Sequence, residues 1–130
     1  MKKILLLFAA GCVGGLANSL TVWVFGEMNV TQAFGVAIAP HLSPNWLYPR
    51  IVWGGLWGIL FILPMMFSQP VSKGIVLSLF PTAVQLFVVF PLVAHKGIAG
   101  LDLGLYTPLF VVFFNAVWGI TTAWMLKFAK

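Results

Sequence analysis

The run from Ile4 to Phe25, ILLLFAAGCVGGLANSLTVWVF, contains neither a charged side chain nor a proline, and its reading decides the fold. A helix needs roughly 20 mostly apolar residues to cross a hydrocarbon layer about 30 Å thick, because each residue rises about 1.5 Å. The run has that length, and its apolar side chains fall on every face rather than on one stripe, so lipid rather than a protein core has to solvate much of it.

The same test finds further spans at 51–67, 74–94 and 106–127, the second of them short and bounded by Arg50 and by Ser68, Gln69 and Pro70. Composition agrees, with 62% hydrophobic and 7% charged residues and a mean hydropathy of +1.06, against about 25% charged residues in ordinary soluble domains. The expectation is a single all-α domain over residues 1–130, an integral membrane bundle of four transmembrane helices.

Charge supplies the sidedness. Lys and Arg are retained in cytoplasmic loops near helix ends, and an even number of spans puts both termini on one side. That side would hold Lys2, Lys3, Lys73, Lys127 and Lys130, against Arg50 and Lys96 on the other. Both termini are therefore expected in the cytoplasm, and the Met-Lys-Lys start points to a bacterial inner membrane. The seven cations are too scattered for adjacent phosphates, which argues against nucleic acid as a partner.

Lys2 and Lys3 followed by an apolar run and Cys12 resemble a secretory or lipoprotein signal. The alanine at position 9 and the apolar continuation from Val13 to Phe25 favour an uncleaved first span instead. With one cysteine, an intrachain disulfide and a two-cysteine metal motif are both excluded.

Between the first two spans lies an outer loop at 27–50. Val30, Phe34, Ala37 and Ile38 recur at helical spacing and predict a short interfacial helix ended by Pro40. Residues 41–50 contain two prolines with Trp46 and Tyr48, the composition of an interfacial belt rather than of a helix. Within the spans, Pro81 and Pro91 predict a kink in the third.

Candidate functional residues fall into three groups. Gly11 and Gly15, and likewise Gly54 and Gly58, form small faces that let helix backbones approach closely, within the chain or against another subunit. Asn18, Gln85 and Asn115 stand at similar depth in three spans, and Thr21, Thr82, Thr121 and Thr122 are placed to extend the group. Such amides either glue helices together or line a polar path. His41, His95, Glu27 and Asp102 lie on the outer side, where they could offer acid–base chemistry, but their spacing fits no metal motif. No metal or cofactor is expected. No charged residue is expected deep in a span, and the lack of an intramembrane carboxylate argues against proton-coupled export.

The segment Trp53-Gly54-Gly55-Leu56-Trp57-Gly58, with Phe61-Ile62-Leu63-Pro64 and Asn115-Ala116-Val117-Trp118-Gly119, resembles small bacterial four-helix inner-membrane proteins. That resemblance implies the membrane class and carries no activity. The functional expectation is a non-enzymatic protein that acts by helix association in the lipid bilayer, as a homo-oligomer or as an accessory subunit of a membrane complex. Two alternatives are a small channel or facilitator with an amide-lined path, and a membrane enzyme using the outer histidines.

Overall fold

The computed structural model describes residues 2–63 and 70–128, and among these every regular element is helical. The order is α1 (Lys2–Glu27), the single turn α2 (Val30–Ala33), α3 (Pro44–Gly58) with a 3₁₀ extension (Ile59–Ile62), α4 (Pro70–Val84) running into a π-helix (Gln85–Val93), a 3₁₀ turn (Ile98–Gly100) and α5 (Thr107–Phe128). Three helical stretches are long and apolar enough to cross a membrane: Lys2–Glu27, Val71–Val93 and Thr107–Phe128. They correspond to the first, third and fourth spans read from the sequence.

Where a second span was expected, at 51–67, the described residues hold α3, which begins earlier, at Pro44, and is not among the three stretches long and apolar enough to cross. With its 3₁₀ extension it ends at Ile62, and residues 64–67 lie outside the described residues. The prolines explain the shift. Pro44 occupies the first helical position, where no backbone N–H is needed, and the Ser43 hydroxyl accepts a hydrogen bond from the Trp46 amide at 3.3 Å. Residues 44–50, expected to be non-helical, are therefore the first turns of α3.

The interfacial helix expected up to Pro40 is reduced to Val30–Ala33. Gly35, in the left-handed region at φ 75°, ends it. From there the chain is held by tertiary bonds: the Thr31 hydroxyl donates to the Ile38 carbonyl at 2.7 Å, and the Ala37 amide donates to the Leu103 carbonyl at 2.9 Å. The segment after α2 is thereby tied to the loop before α5, and together they form a cap over one end of the helices.

Glycine contacts set the helix order. Gly11 and Gly15 of α1 lie against Gly54 and Gly58 of α3, so closely that a Cβ at Gly58 would sit 2.6 Å from the Leu7 carbonyl oxygen and one at Gly54 2.8 Å from that of Gly11. Gly14 faces Trp118 and Thr122 of α5, while Gly74 of α4 meets Gly119 of α5. Rising numbers on one partner meet falling numbers on the other throughout, so α1 is antiparallel to α3 and to α5, and α5 to α4. The lateral order is α3, α1, α5, α4.

The bundle is inverted relative to a water-soluble one. On α1 the buried positions include Gly11, Gly14, Gly15, Asn18 and Ser19, whereas Leu5, Val13, Leu16, Leu20 and Val24 are exposed. Small and polar groups pack inward and large apolar ones face out, the pattern expected where the surroundings are as apolar as leucine and close backbone contact drives association.

Pro91 is accommodated without ending the fourth helix. The hydrogen bonding widens from Gln85 onward to a π pattern, seen at its end where the Ala94 amide donates to the Val89 carbonyl at 2.7 Å. Of the two prolines expected to kink this span, Pro81 lies within the regular α-helix and Pro91 within the π-helical segment.

Lys73, assigned from the sequence to a loop, is 8% exposed. Its ammonium group donates to the Phe61 carbonyl at 3.2 Å and the Leu63 carbonyl at 3.0 Å, which ties the start of α4 to the end of the α3 extension.

The glycine contacts yield the first prediction. Gly54→Leu should destabilise the protein by about 1–3 kcal/mol, the usual cost of overpacking, in thermal unfolding in detergent. Trp53→Leu, one residue away at a 61% exposed position, should leave stability within about 0.5 kcal/mol.

Candidate functional site: an arginine-ended amide network in a capped cavity

Asn18 lies nine residues before the end of α1, about 14 Å down the helix at the usual rise. It is 6% exposed, and its amide nitrogen donates to the Phe114 carbonyl at 2.6 Å and to Asn115 Oδ1 at 3.4 Å. Asn115 in turn donates to Thr82 Oγ1 at 3.0 Å and to Gln85 Oε1 at 3.2 Å. The three amides singled out in the sequence thus form one continuous chain across α1, α5 and the π-helix that continues α4. Thr82 extends it, while Thr21 and Thr122 bond back to the Ala17 and Trp118 carbonyls of their own helices.

The sequence reading missed the residue at the other end of this chain. Arg50 Nη2 donates to Asn18 Oδ1 at 2.7 Å and Nε to Ser19 Oγ at 2.9 Å, with the guanidinium 4.7 Å from the centre of the Trp46 ring. The expectation that no charged group reaches into the bundle is corrected accordingly. Its basis was a helix starting at residue 51, which leaves Arg50 in a loop. A helix starting at Pro44 makes position 50 part of a packed face opposite Gly15, whose neighbours include the Arg50 carbonyl.

Donor and acceptor roles are fixed by the two ends of the network. Guanidinium can only donate and the Phe114 carbonyl can only accept, so the Asn18 amide has a single workable orientation. That orientation propagates: Asn115 accepts from Asn18 through Oδ1 and donates through Nδ2, and Gln85 accepts through Oε1. The Gln85 Nε2 group is left over, with no acceptor among the described residues. Arg50 is in the same position, because a guanidinium carries five N–H groups and two are taken, by Ser19 and Asn18.

Both surplus donors belong to residues that line a cavity of about 380 Å³. Asn18, Arg50, Gln85 and Asn115 supply its polar wall. Val22, Phe90, Val111 and Phe114 supply an apolar one, with residues 37–40 of the cap at its edge. It lies where the first turns of α3 face the π-helix, the two flanks of the lateral order that are not packed against each other by glycines. Toward the chain termini Leu7, Phe61, Leu77, Trp118 and Ala123 form a buried apolar cluster. The Trp118 indole N–H donates to the Gly54 carbonyl at 3.1 Å, and its ring meets Phe61 edge-on at 5.8 Å. Trp53 points outward.

The remaining sequence candidates fall elsewhere. Glu27, His41, His95 and Asp102 are all exposed, and none lines the cavity. Among the described residues no three His, Cys, Asp or Glu side chains come together as a metal would need. The four glycines Gly11, Gly15, Gly54 and Gly58 meet one another inside the chain.

A double-mutant cycle tests the Arg50–Asn18 bond. Arg50→Met and Asn18→Leu should be coupled by about 1.5–3 kcal/mol, the range for hydrogen bonds to charged groups, in unfolding measured in a neutral detergent. Additive single effects would contradict the contact. Comparison with known protein families, with curated proteins and with solved structures gives no match, so the chemistry of this cavity is read from its own side chains.

Proposed function

We propose that this chain is a non-enzymatic facilitator of a bacterial inner membrane that binds a small polar solute in the capped cavity. In this reading four helices cross the bilayer, both termini are cytoplasmic, and the cavity opens to the outer face. The fourth crossing is α3 with its 3₁₀ extension: its 15 and 4 residues span about 30 Å at the usual rises, enough for the hydrocarbon layer.

The observation that carries the proposal is the cavity itself, polar on one wall, with the apolar cluster of Leu7, Phe61, Leu77 and Trp118 on its terminal side. A polar pocket inside a bundle is costly unless something uses it. A site open to one side and plugged on the other is what one half of an alternating-access cycle requires. The association reading drew its support from the glycine faces, and Gly11, Gly15, Gly54 and Gly58 are used in packing α1 on α3. A catalytic reading lacks a paired nucleophile and base in the cavity.

Osmotic swelling of proteoliposomes tests transport. At least one of glycerol, urea and lactate should enter faster than in protein-free vesicles, and Asn115→Leu should slow that entry about tenfold at unchanged folded yield. Entry no faster than in empty vesicles for all three would contradict the facilitator reading. Sidedness is tested separately with Gln85→Cys in a Cys12→Ser background. A membrane-impermeant thiol reagent should modify it in spheroplasts and leave it intact in inverted vesicles, and the reverse pattern would overturn the orientation.

A further inference from the structure

The cavity presents donors without acceptors. Arg50 has N–H groups beyond those bonded to Ser19 and Asn18, and the amide chain ends in the Gln85 Nε2 group. The other polar groups of the wall, Asn18 and Asn115, spend both nitrogen and oxygen within the network. A cation would find no carboxylate here, because neither acid of the chain lines the cavity. A neutral solute would offer the guanidinium no countercharge, whereas an anion would pair with it.

We infer that the ligand is an amphiphilic monoanion, with an oxyanion head held by Arg50 and Gln85 and an apolar body against Val22, Phe90, Val111 and Phe114. The inference rests on the facilitator reading, in that both use the same cavity. Arginine matches a carboxylate or phosphodiester geometrically, since its planar fork can donate to two oxygens at once. Trp46 covers one face of that fork, which leaves the edge as the donor surface. Among the described residues Arg50 is the only cation lining the cavity, so one negative charge is matched and a second would go unpaired. The apolar wall accounts for the rest of the roughly 380 Å³, more room than a bare phosphate or carboxylate fills. The head can belong to a free amphiphile or to an anionic lipid, because the shared chemistry is the oxyanion on an apolar chain.

Equilibrium binding to the purified full-length protein in nanodiscs of neutral phosphatidylcholine tests the inference, with octanoate as probe and octanamide as its uncharged counterpart. Octanoate should bind saturably and at least about tenfold more tightly than octanamide, the equivalent of one charge-assisted hydrogen bond. Arg50→Met should weaken octanoate about tenfold or more, and Arg50→Lys less than that. Gln85→Met, which keeps the Arg50–Asn18 bond, should weaken it about three- to fivefold, so the test survives if Arg50→Met fails to fold. A lipid source is distinguished by adding phosphatidylglycerol to the nanodiscs: competition with octanoate, lost in Gln85→Met, assigns the site to an anionic headgroup, and lack of competition assigns it to a free amphiphile. Octanamide binding as tightly as octanoate would overturn the anion assignment while leaving a solute cavity in place. Binding of neither probe, with the protein folded, would overturn the anion assignment, and the facilitator reading would then stand or fall on the swelling assay alone.

Discussion

The Asn18 side chain holds three helices at one point, with the Phe114 carbonyl of α5 and the Arg50 guanidinium of α3 both bonded to an amide of α1. In a surrounding that offers polar groups no water, a donor on one helix has to find its acceptor on another. Asn18 meets that requirement for α3 and α5 together, and the direction of every other bond in the network follows from it. Remove the amide and both the Phe114 carbonyl and the guanidinium lose a partner within the bundle.

Two kinds of packing make the junction possible. Near Asn18 the α1–α3 contact is made by glycines, which brings the backbones close enough for Arg50 to reach across. On the far side α4 opens into a π-helix at the position where Gln85 must face inward, in a segment whose Pro91 has no amide hydrogen to give. The cavity lies between this segment and the start of α3, while the close helix contacts are made at glycines.

Much of this was legible in the sequence. Three long apolar runs stood out because lipid-immersed helices are apolar on every face, and their ends agree with α1, α4 with its π extension, and α5 to within a few residues. The amides were visible because a polar side chain in such a run is costly without a partner. Arg50 was hidden by Pro44 and Pro49, which read as helix-breaking when counted as interior residues. Pro44 in fact sits at the first helical position behind the Ser43 cap, where its missing N–H costs nothing. Lys73 was hidden differently: charge position gives a side of the membrane, and it is silent on whether the ammonium group ends in water or on the carbonyls of Phe61 and Leu63. The loss of the interfacial helix after Ala33 follows from bonds to residues far along the chain, such as that of Ala37 to Leu103, which local spacing does not encode.

The network depends on Arg50 being inside the bundle and bonded to Asn18. Because the chain contains a single arginine, labelling that amino acid with ¹⁵N in the guanidinium and asparagine with ¹³C at the side-chain carbonyl isolates the contact. Solid-state dipolar recoupling in lipid bilayers should find a guanidinium nitrogen about 3.5 Å from an asparagine carbonyl carbon, as a hydrogen bond of 2.7 Å requires, and the signal should vanish in Asn18→Ser. A guanidinium with no carbon within that range, or one whose coupling survives in Asn18→Ser, would contradict it.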